Sequence, residues 1–182
     1  MTDNLAFLFQ QAVQPRDVGQ ELRRDLIECW ITVSNSGGAV GFPFPPVSSK
    51  EVAPVADRLI AGLEPRFNRL LFAMVDGVLA GWLNIRRESH PVVMHWGTVN
   101  SVQTHPRFRS HGIGTGLMNR IRQIAHAEMG LEQLHLAVRA GLGLEEFYGR
   151  LGWREIGRWP GALRFGPSDD RDEVLMLLAP LS

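Results

Sequence analysis

The chain has 182 residues, a formal net charge of zero and 45% hydrophobic residues, which favours one globular domain with a substantial core. The balanced charge argues against a general nucleic-acid-binding protein, and no apolar run reaches membrane-spanning length. The single cysteine, Cys29, excludes an intrachain disulfide, and no His/Cys spacing matches a zinc pattern, so no metal is expected. The short apolar stretch near the N-terminus lacks a basic segment before it. We therefore expect no signal peptide and a reducing, cytoplasmic location.

Hydrophobic periodicity and turn residues predict the elements of the fold. In chain order they are a strand over 5–13, helices over 17–34 and 49–63, strands over 69–76, 78–86 and 92–104, a helix over 113–129, a strand around 134–138, a short helix over 144–151, and last strands over 153–159 and 173–179 around a Pro/Gly/Asp-rich loop. Asp76-Gly77 is a strong hairpin signal, and Gly97 is read as a bulge. Hairpin-like strands followed by strands separated by helices indicate a mixed α/β (α+β) sheet in one domain over 1–182, with its core at 5–180.

The most informative segment reads Arg109-Ser110-His111-Gly112-Ile113-Gly114-Thr115 and lies between a predicted strand and a predicted helix. The first turn of a helix leaves backbone N–H groups without partners, and the helix dipole adds partial positive charge there. Glycines let a phosphate approach those groups closely. No Asp or Glu occurs from Asn100 to Ala127, whereas this window contains four arginines: Arg107, Arg109, Arg120 and Arg122. The segment therefore predicts a site for one anionic ligand.

Three nucleotide-binding patterns compete for this glycine-rich segment. The Walker pattern requires a lysine before the Ser/Thr, and Gly114-Thr115 has none. The dinucleotide fingerprint places its glycines directly after a strand, whereas residues 106–109 intervene here. The pattern Arg/Gln-x-x-Gly-x-Gly/Ala is met by Arg109, Gly112 and Gly114. The alternative without a ligand is that these glycines only permit close packing of helix against strand.

With these residues the chain resembles the GNAT acetyltransferase superfamily, whose members bind the pyrophosphate of acetyl-CoA on such a loop and transfer the acetyl group to an amine. The segment 102–106 resembles the end of the family's fourth strand, whose backbone pairs with the pantetheine arm. The segment 146–153 is similar to the helix-four signature, whose tyrosine points at the thioester sulfur and corresponds to Tyr148, the only tyrosine in the chain.

The resemblance implies a single-domain GNAT-like fold, with a mixed, mostly antiparallel sheet of six or seven strands flanked by about four helices. It implies acetyl-CoA as co-substrate, direct transfer to an amine and Tyr148 as the catalytic general acid. The implied cofactor-binding residues are Val102, Gln103, Thr104, Arg109, Ser110, His111, Gly112, Ile113, Gly114, Thr115 and Phe147. Dimers are common in the family, so a homodimer is one expectation.

The segments 37–42 and 160–161 resemble the tabtoxin resistance protein type of GNAT enzyme. Such enzymes use acidic residues near the fourth and fifth strands to handle the amine proton, but the corresponding positions here look like Thr98 and Ala137. The remaining candidates for the base are Glu88, His90, His95, His105 and Glu145, or a water relayed through Asn100. The residues expected to line an apolar acceptor pocket are Phe42, Phe44, Trp82, Trp159 and Pro160.

A small-molecule amine is preferred as acceptor over a protein amine, because no long acidic groove is evident that would attract a lysine-rich peptide. Rival hypotheses are a non-catalytic acyl-CoA-binding sensor, a nucleic-acid-binding protein that uses the basic stretch, and an enzyme for another acyl donor such as propionyl- or succinyl-CoA. Neither a nucleic-acid nor a membrane partner is expected.

Overall fold

The structure is a computed structural model that describes residues 6–38, 41–42 and 45–182. Its strands and α-helices, in chain order, are β1 (Leu8–Ala12), α1 (Gln20–Asn35), α2 (Ser49–Ala61), β2 (Asn68–Val75), β3 (Val78–Arg87), β4 (Trp96–Thr104), α3 (Ile113–Gln123), β5 (Gln133–Arg139), α4 (Leu144–Gly149), β6 (Arg154–Gly166) and β7 (Asp169–Leu178).

The strands among these described residues form one seven-stranded sheet in the order β1-β2-β3-β4-β5-β7-β6. The pairs β1–β2, β5–β7 and β6–β7 are antiparallel, whereas β4 and β5 are parallel. A parallel pair needs a crossover connection, and α3 supplies it between β4 and β5. The α+β prediction with a mixed sheet of six or seven strands and about four helices is therefore confirmed, while the predicted extent of the domain stays a prediction.

The described residues fall into two compact units, of which the first takes in the chain up to Ile85 together with Ser101–Leu117. Its core joins the apolar face of α1 to β2 and β3, and Trp30 meets Trp82 edge-on with ring centroids 4.8 Å apart. The Asp76-Gly77 hairpin is confirmed, because both turn residues have the positive φ values that a type I′ turn requires, 48° and 78°. These features fix β3, which lies beside the end of β4 in the sheet.

The second unit comprises Arg86–Asn100 and Met118–Ser182. Alternate residues of β5, Leu134, Leu136 and Val138, are buried, as their spacing predicts. The predicted helix over 113–129 continues past α3 as one π-helical turn over Ile124–Glu128 and ends before Gly130, whose φ is 63°.

The predicted Pro/Gly/Asp-rich loop between the last two strands is wrong, because β6 and β7 form a hairpin that extends through most of it. Register shifts between Trp159 and Leu163 absorb Pro160 and Gly161, as β-bulges do. Beyond them, Arg164 and Asp170 are cross-strand partners joined by a bidentate ion pair at 2.6 and 2.7 Å. The two strands therefore pair through a segment whose composition predicts a loop, and the bulges accommodate Pro160 and Gly161.

Two further boundaries differ from the prediction. The strand expected over 92–104 begins only at Trp96, because Pro91–Val93 forms a 3₁₀ turn. Gly97 is not a bulge relative to β5, since its pairing with that strand is continuous. A Cβ there would lie 2.8 Å from Leu131 Cδ1 and 3.2 Å from the Arg86 carbonyl oxygen, so Gly97 permits close packing at this point. The first strand, predicted over 5–13, spans Leu8–Ala12; residue 5 lies outside the described residues. None of the helices in the described ranges combines the length and apolar character needed to cross a bilayer.

Candidate functional site

The segment that joins β4 to α3 is anchored at its start in the first unit. The backbone N–H of His105 donates to the carbonyl oxygen of Ala80 at 2.9 Å, which extends the sheet past Thr104. The His105 ring then accepts a hydrogen bond from the Arg107 N–H at 3.2 Å and caps a 3₁₀ turn over Pro106–Phe108. Phe108 is buried. The entry to the loop is therefore held by backbone bonds and by one buried ring.

The loop then turns through two left-handed residues before the helix begins. Ser110 has a φ of 64° and Gly112 a φ of 80°. Within the described part of the chain, and apart from the two neighbouring residues, no atom lies within 4 Å of the position that a Cβ on Gly112 would take. Glycine is therefore required at this position by backbone conformation, not by lack of space. The ring of His111 hydrogen-bonds to the Arg109 carbonyl oxygen at 2.7 Å and stabilises the turn.

The backbone amides of the first turn of α3 follow Gly112 directly in the chain. The first bond of the helix runs from the Gly116 N–H to the Gly112 carbonyl oxygen at 2.8 Å. The N–H groups of residues 113–115 precede that bond and have no carbonyl to pair with inside the helix. Together with the helix dipole they form an anion-binding end.

The end of β4 and the start of α3 approach β3 closely. A Cβ on Gly81 would lie 2.6 Å from the Gln103 carbonyl oxygen and 2.9 Å from Ile113 Cγ2. Gly81, which lies outside the loop, is therefore a glycine that permits close packing of helix against strand. In the loop, by contrast, the Gly112 position is open.

The four arginines of the acid-free window do not all serve this loop. Arg107 and Arg109 are exposed next to it. In the second unit, Arg120 lies 3.9 Å from a Glu128 carboxylate oxygen, and Arg122 donates to the Leu181 carbonyl oxygen at 3.0 Å. The basic patch predicted from the sequence is thus divided, and two arginines remain beside the anion-binding end.

Three predicted cofactor-binding residues lie at the end of β4. Ser101, just before them, has a φ of 53°, which interrupts the regular strand. Val102 and Thr104 are half-buried, whereas Gln103 is 1% exposed. Neither amide atom of the Gln103 side chain has a hydrogen-bond partner among the described residues. The Gln103 side chain is therefore enclosed by protein in this conformation.

Tyr148 lies on α4 in the second unit, where its ring is held by aromatic neighbours. The ring meets Phe147 and Trp153 edge-on, with centroids 5.0 and 6.0 Å away. The residue as a whole is only 5% exposed, but its hydroxyl oxygen is not fully buried. Burial raises the pKa of this hydroxyl above its usual value. The phenol therefore stays protonated at neutral pH.

The five predicted candidates for the base are engaged elsewhere or lie at the surface. Glu88 pairs with Arg86 at 2.7 Å, and Glu145 lies 4.0 Å from Arg158. The rings of His90 and His105 each accept a backbone N–H, that of Val92 and that of Arg107. His95 is exposed, with its Nε2 3.3 Å from the Gln133 amide nitrogen.

The residues predicted for an acceptor pocket have different environments. Trp82 is fully buried in the core of the first unit, so its assignment to a pocket wall is wrong. Phe42 packs edge-on against Trp30 at 5.4 Å, and Phe44 lies outside the described residues. Trp159 and Pro160 are exposed on β6, with Trp159 at 65%. Cys29 is 3% exposed, which confirms it as a core residue.

His135 is a titratable residue that the sequence did not identify as part of a site. His135 lies on β5 directly opposite Thr98 of β4 and stacks on Trp96 with ring centroids 4.5 Å apart. The alternation of β5 identifies a half-buried strand but cannot reveal which residue of β4 faces it. Among the described residues, no three His, Cys, Asp or Glu side chains are grouped as ligands for a metal ion.

The sequence profile of the acetyltransferase (GNAT) family matches residues 20–153. None of the curated proteins compared with the chain matches it. Among solved structures, the chain is similar to a GNAT-family acetyltransferase from Streptococcus pneumoniae, with 19% identity, 96% of this chain and 99% of that chain covered, and a TM-score of 0.71.

Two other solved structures are similarly close. A candidate phosphinothricin N-acetyltransferase has 18% identity, with 97% of this chain and 99% of that chain covered and a TM-score of 0.75. The candidate acetyltransferase YncA from Salmonella typhimurium, solved with its cofactor acetyl-CoA, has 17% identity, coverages of 96% and 94%, and a TM-score of 0.70. At these identities the structural likeness establishes the fold.

Proposed function

Because the chain belongs to the acetyltransferase (GNAT) family and is an acetyl-CoA-dependent N-acetyltransferase, we propose that the loop over 109–115 and the backbone of residues 102–104 hold acetyl-CoA. The observation that carries the proposal is the open anion-binding end of α3. A Cβ on Gly112 would meet no described atom outside its chain neighbours within 4 Å, and the next three N–H groups have no partner inside the helix. A diphosphate oxygen in that space would accept hydrogen bonds from the amides of residues 113–115.

The exposed side chains next to this end add to the same interaction. Arg107 and Arg109 carry positive charge at the loop surface. Charge-assisted hydrogen bonds from arginine to phosphate are about twice as strong as neutral ones. The backbone of residues 102–104 would bind the pantetheine arm as an added strand. Its N–H groups would also polarise the thioester carbonyl.

Tyr148 is proposed as the general acid that protonates the departing sulfur. Its raised pKa keeps the proton on the phenol until the C–S bond breaks. The rings of Phe147 and Trp153 fix its orientation, and the hydroxyl has no hydrogen-bond partner among the described residues that would compete for the proton.

The amine is proposed to attack the thioester directly, without an acyl-enzyme. A covalent route needs an accessible nucleophile such as a thiolate. Cys29 is buried, and burial raises the pKa of its thiol to about 12. The thiol is therefore neither ionised nor reachable at neutral pH.

The acceptor is proposed to be the primary amine of a small molecule. The overall charge of the chain is zero, which offers no strong field to attract a lysine-rich peptide. Phosphinothricin is the first compound to test, since one of the similar structures is named for it. The finer assignment to the tabtoxin resistance type, a homodimer and a cytoplasmic location all stay predictions.

The test measures release of the CoA thiol from acetyl-CoA with phosphinothricin, other small primary amines and lysine peptides. We expect turnover with a small amine and none with peptides. Tyr148→Phe should lower kcat about 100-fold or more and leave the Kd for acetyl-CoA nearly unchanged. Trp153→Phe is the matched control, because it alters the same aromatic cluster and keeps the hydroxyl. Acetyl-CoA binding without turnover of any amine would favour a sensor instead.

A further inference from the structure

The last paired residues of the parallel strands β4 and β5 bring an imidazole next to an indole. Trp96 to Thr98 pair in register with Gln133 to His135, and this registered pairing ends at Thr98 and His135. The rings of Trp96 and His135 are stacked with centroids 4.5 Å apart and planes within 10° of parallel. The stack holds the imidazole in one orientation at the end of the pairing.

His135 faces away from the buried side of β5. Its neighbours Leu134 and Leu136 are buried, whereas Ala137, two residues on, is exposed. Because side chains alternate along a strand, His135 and Ala137 share the other face. Thr98 lies opposite His135 on that face. On this face His135 therefore lies beside Thr98 of β4 and two residues before Ala137, at the point where the registered pairing of the two strands ends.

The two ring nitrogens of His135 differ in their surroundings. Nε2 is fully buried and has no hydrogen-bond partner among the described residues. Nδ1 is not fully buried, and no bond to it is found within those residues either. Nδ1 is thus the nitrogen that an incoming group can meet. Asn100, exposed on β4 two residues past Thr98, marks the solvent side of the strand.

Charge and burial keep this imidazole neutral until it receives a proton. Burial, and in second place the nearby His95, lower the pKa of His135 below its usual value. His95, the residue before β4, is the other titratable group acting on the ring, while Leu177 lies opposite His135 on β7. The Trp96 face would stabilise the imidazolium by a cation–π contact. The ring is therefore unprotonated at neutral pH, and the face of Trp96 stabilises its protonated form.

We propose that His135 is the general base that deprotonates the acceptor amine, an inference that rests on the acetyltransferase function proposed above. The alkylammonium gives one proton to Nδ1, from which it passes to solvent. The neutral nitrogen then forms the C–N bond with the thioester carbonyl carbon. The C–S bond breaks as Tyr148 donates its proton to sulfur, and the second proton of the nitrogen restores Tyr148.

The experiment compares two nucleophiles that differ in their need for a base. An alkylamine is protonated at neutral pH and must lose a proton first, whereas hydroxylamine is already neutral. His135→Gln should lower kcat/KM for the best alkylamine of the panel about 100-fold or more. The same variant should change kcat/KM for hydroxylamine less than about fivefold, well below the contribution of a general base. His126→Gln is the matched control, because His126 is exposed on the π-helical turn after α3, and it should behave like the wild type with both nucleophiles.

Calorimetry with acetyl-CoA and a melting curve accompany each variant, and His135→Asn replaces His135→Gln if the latter does not fold. Equal losses with both nucleophiles, or no loss with the alkylamine, would overturn the role of His135. Either outcome with normal acetyl-CoA binding would leave the proposed donor site intact. Absence of acetyl-CoA binding by the wild type would instead remove the proposed function and this inference with it.

Discussion

The replacement of Gly112 by alanine separates backbone strain from ligand contact. Gly112 has a φ of 80°, and among the described residues other than its two neighbours nothing lies within 4 Å of the Cβ that alanine would add. The cost to stability is therefore that of holding an L-residue in the left-handed region, about 1–2 kcal/mol. For a chain of this size, that corresponds to a fall in Tm of about 2–8 °C.

The effect on acetyl-CoA binding should be larger than strain alone explains. The new methyl group would occupy the space proposed for the diphosphate and prevent close approach to an amide. A hydrogen bond to a charged group contributes about 1.5–3 kcal/mol, so losing one raises Kd about tenfold to a hundredfold. Calorimetric titration with acetyl-CoA measures Kd, and thermal unfolding without ligand measures the strain.

Gly77 provides the matched control. It has a φ of 78°, lies in the β2–β3 turn, and likewise has no atom within 4 Å of an added Cβ. Gly77→Ala should reduce Tm by a similar amount and leave Kd for acetyl-CoA unchanged. If Gly112→Ala binds acetyl-CoA as tightly as Gly77→Ala does, the loop does not hold the diphosphate.

Two further predictions concern buried polar groups. Gln103→Met should raise the free energy of unfolding by about 1–3 kcal/mol, because it removes a buried amide that has no partner among the described residues. Asn84→Leu should instead lower the free energy of unfolding, since the Asn84 amide donates to Asn68 and Arg69. Urea titrations that rank the two variants in the reverse order would refute this reasoning. Burial raises the pKa of the Cys29 thiol to about 12, against about 8.5 in the unfolded chain. The thiol therefore does not reduce the free energy of unfolding below about pH 8, and reduces it progressively as the pH rises from about 8 to about 12. Cys29→Ala should remove that part of the alkaline loss, and an identical pH profile in the variant would show that the thiol does not cause it.

Local signals explain which parts of the fold the sequence predicts. The Asp76-Gly77 hairpin depends on two adjacent residues whose left-handed conformations define the turn. The glycine loop before α3 likewise depends on neighbouring residues, and Gly112 has a positive φ, which glycine adopts more readily than other residues. The helices follow from apolar spacing within one segment. In each case the residues that determine the structure lie close together in the chain.

The errors arise where distant residues decide the structure. Pro160 and Gly161 disfavour a strand locally, but the ion pair between Arg164 and Asp170 and the bulges maintain the β6–β7 pairing. His135 acquires its surroundings only through the pairing of β5 with β4, which joins segments separated by a whole helix. Spacing within either strand carries no information about that partner.

The most direct test of the central claim is a crystal structure of this protein with acetyl-CoA. We predict that the diphosphate oxygens accept hydrogen bonds from the backbone N–H groups of Ile113, Gly114 and Thr115, with the thioester beside the Tyr148 hydroxyl. A complex in which the diphosphate lies away from the start of α3 would contradict the proposed donor site.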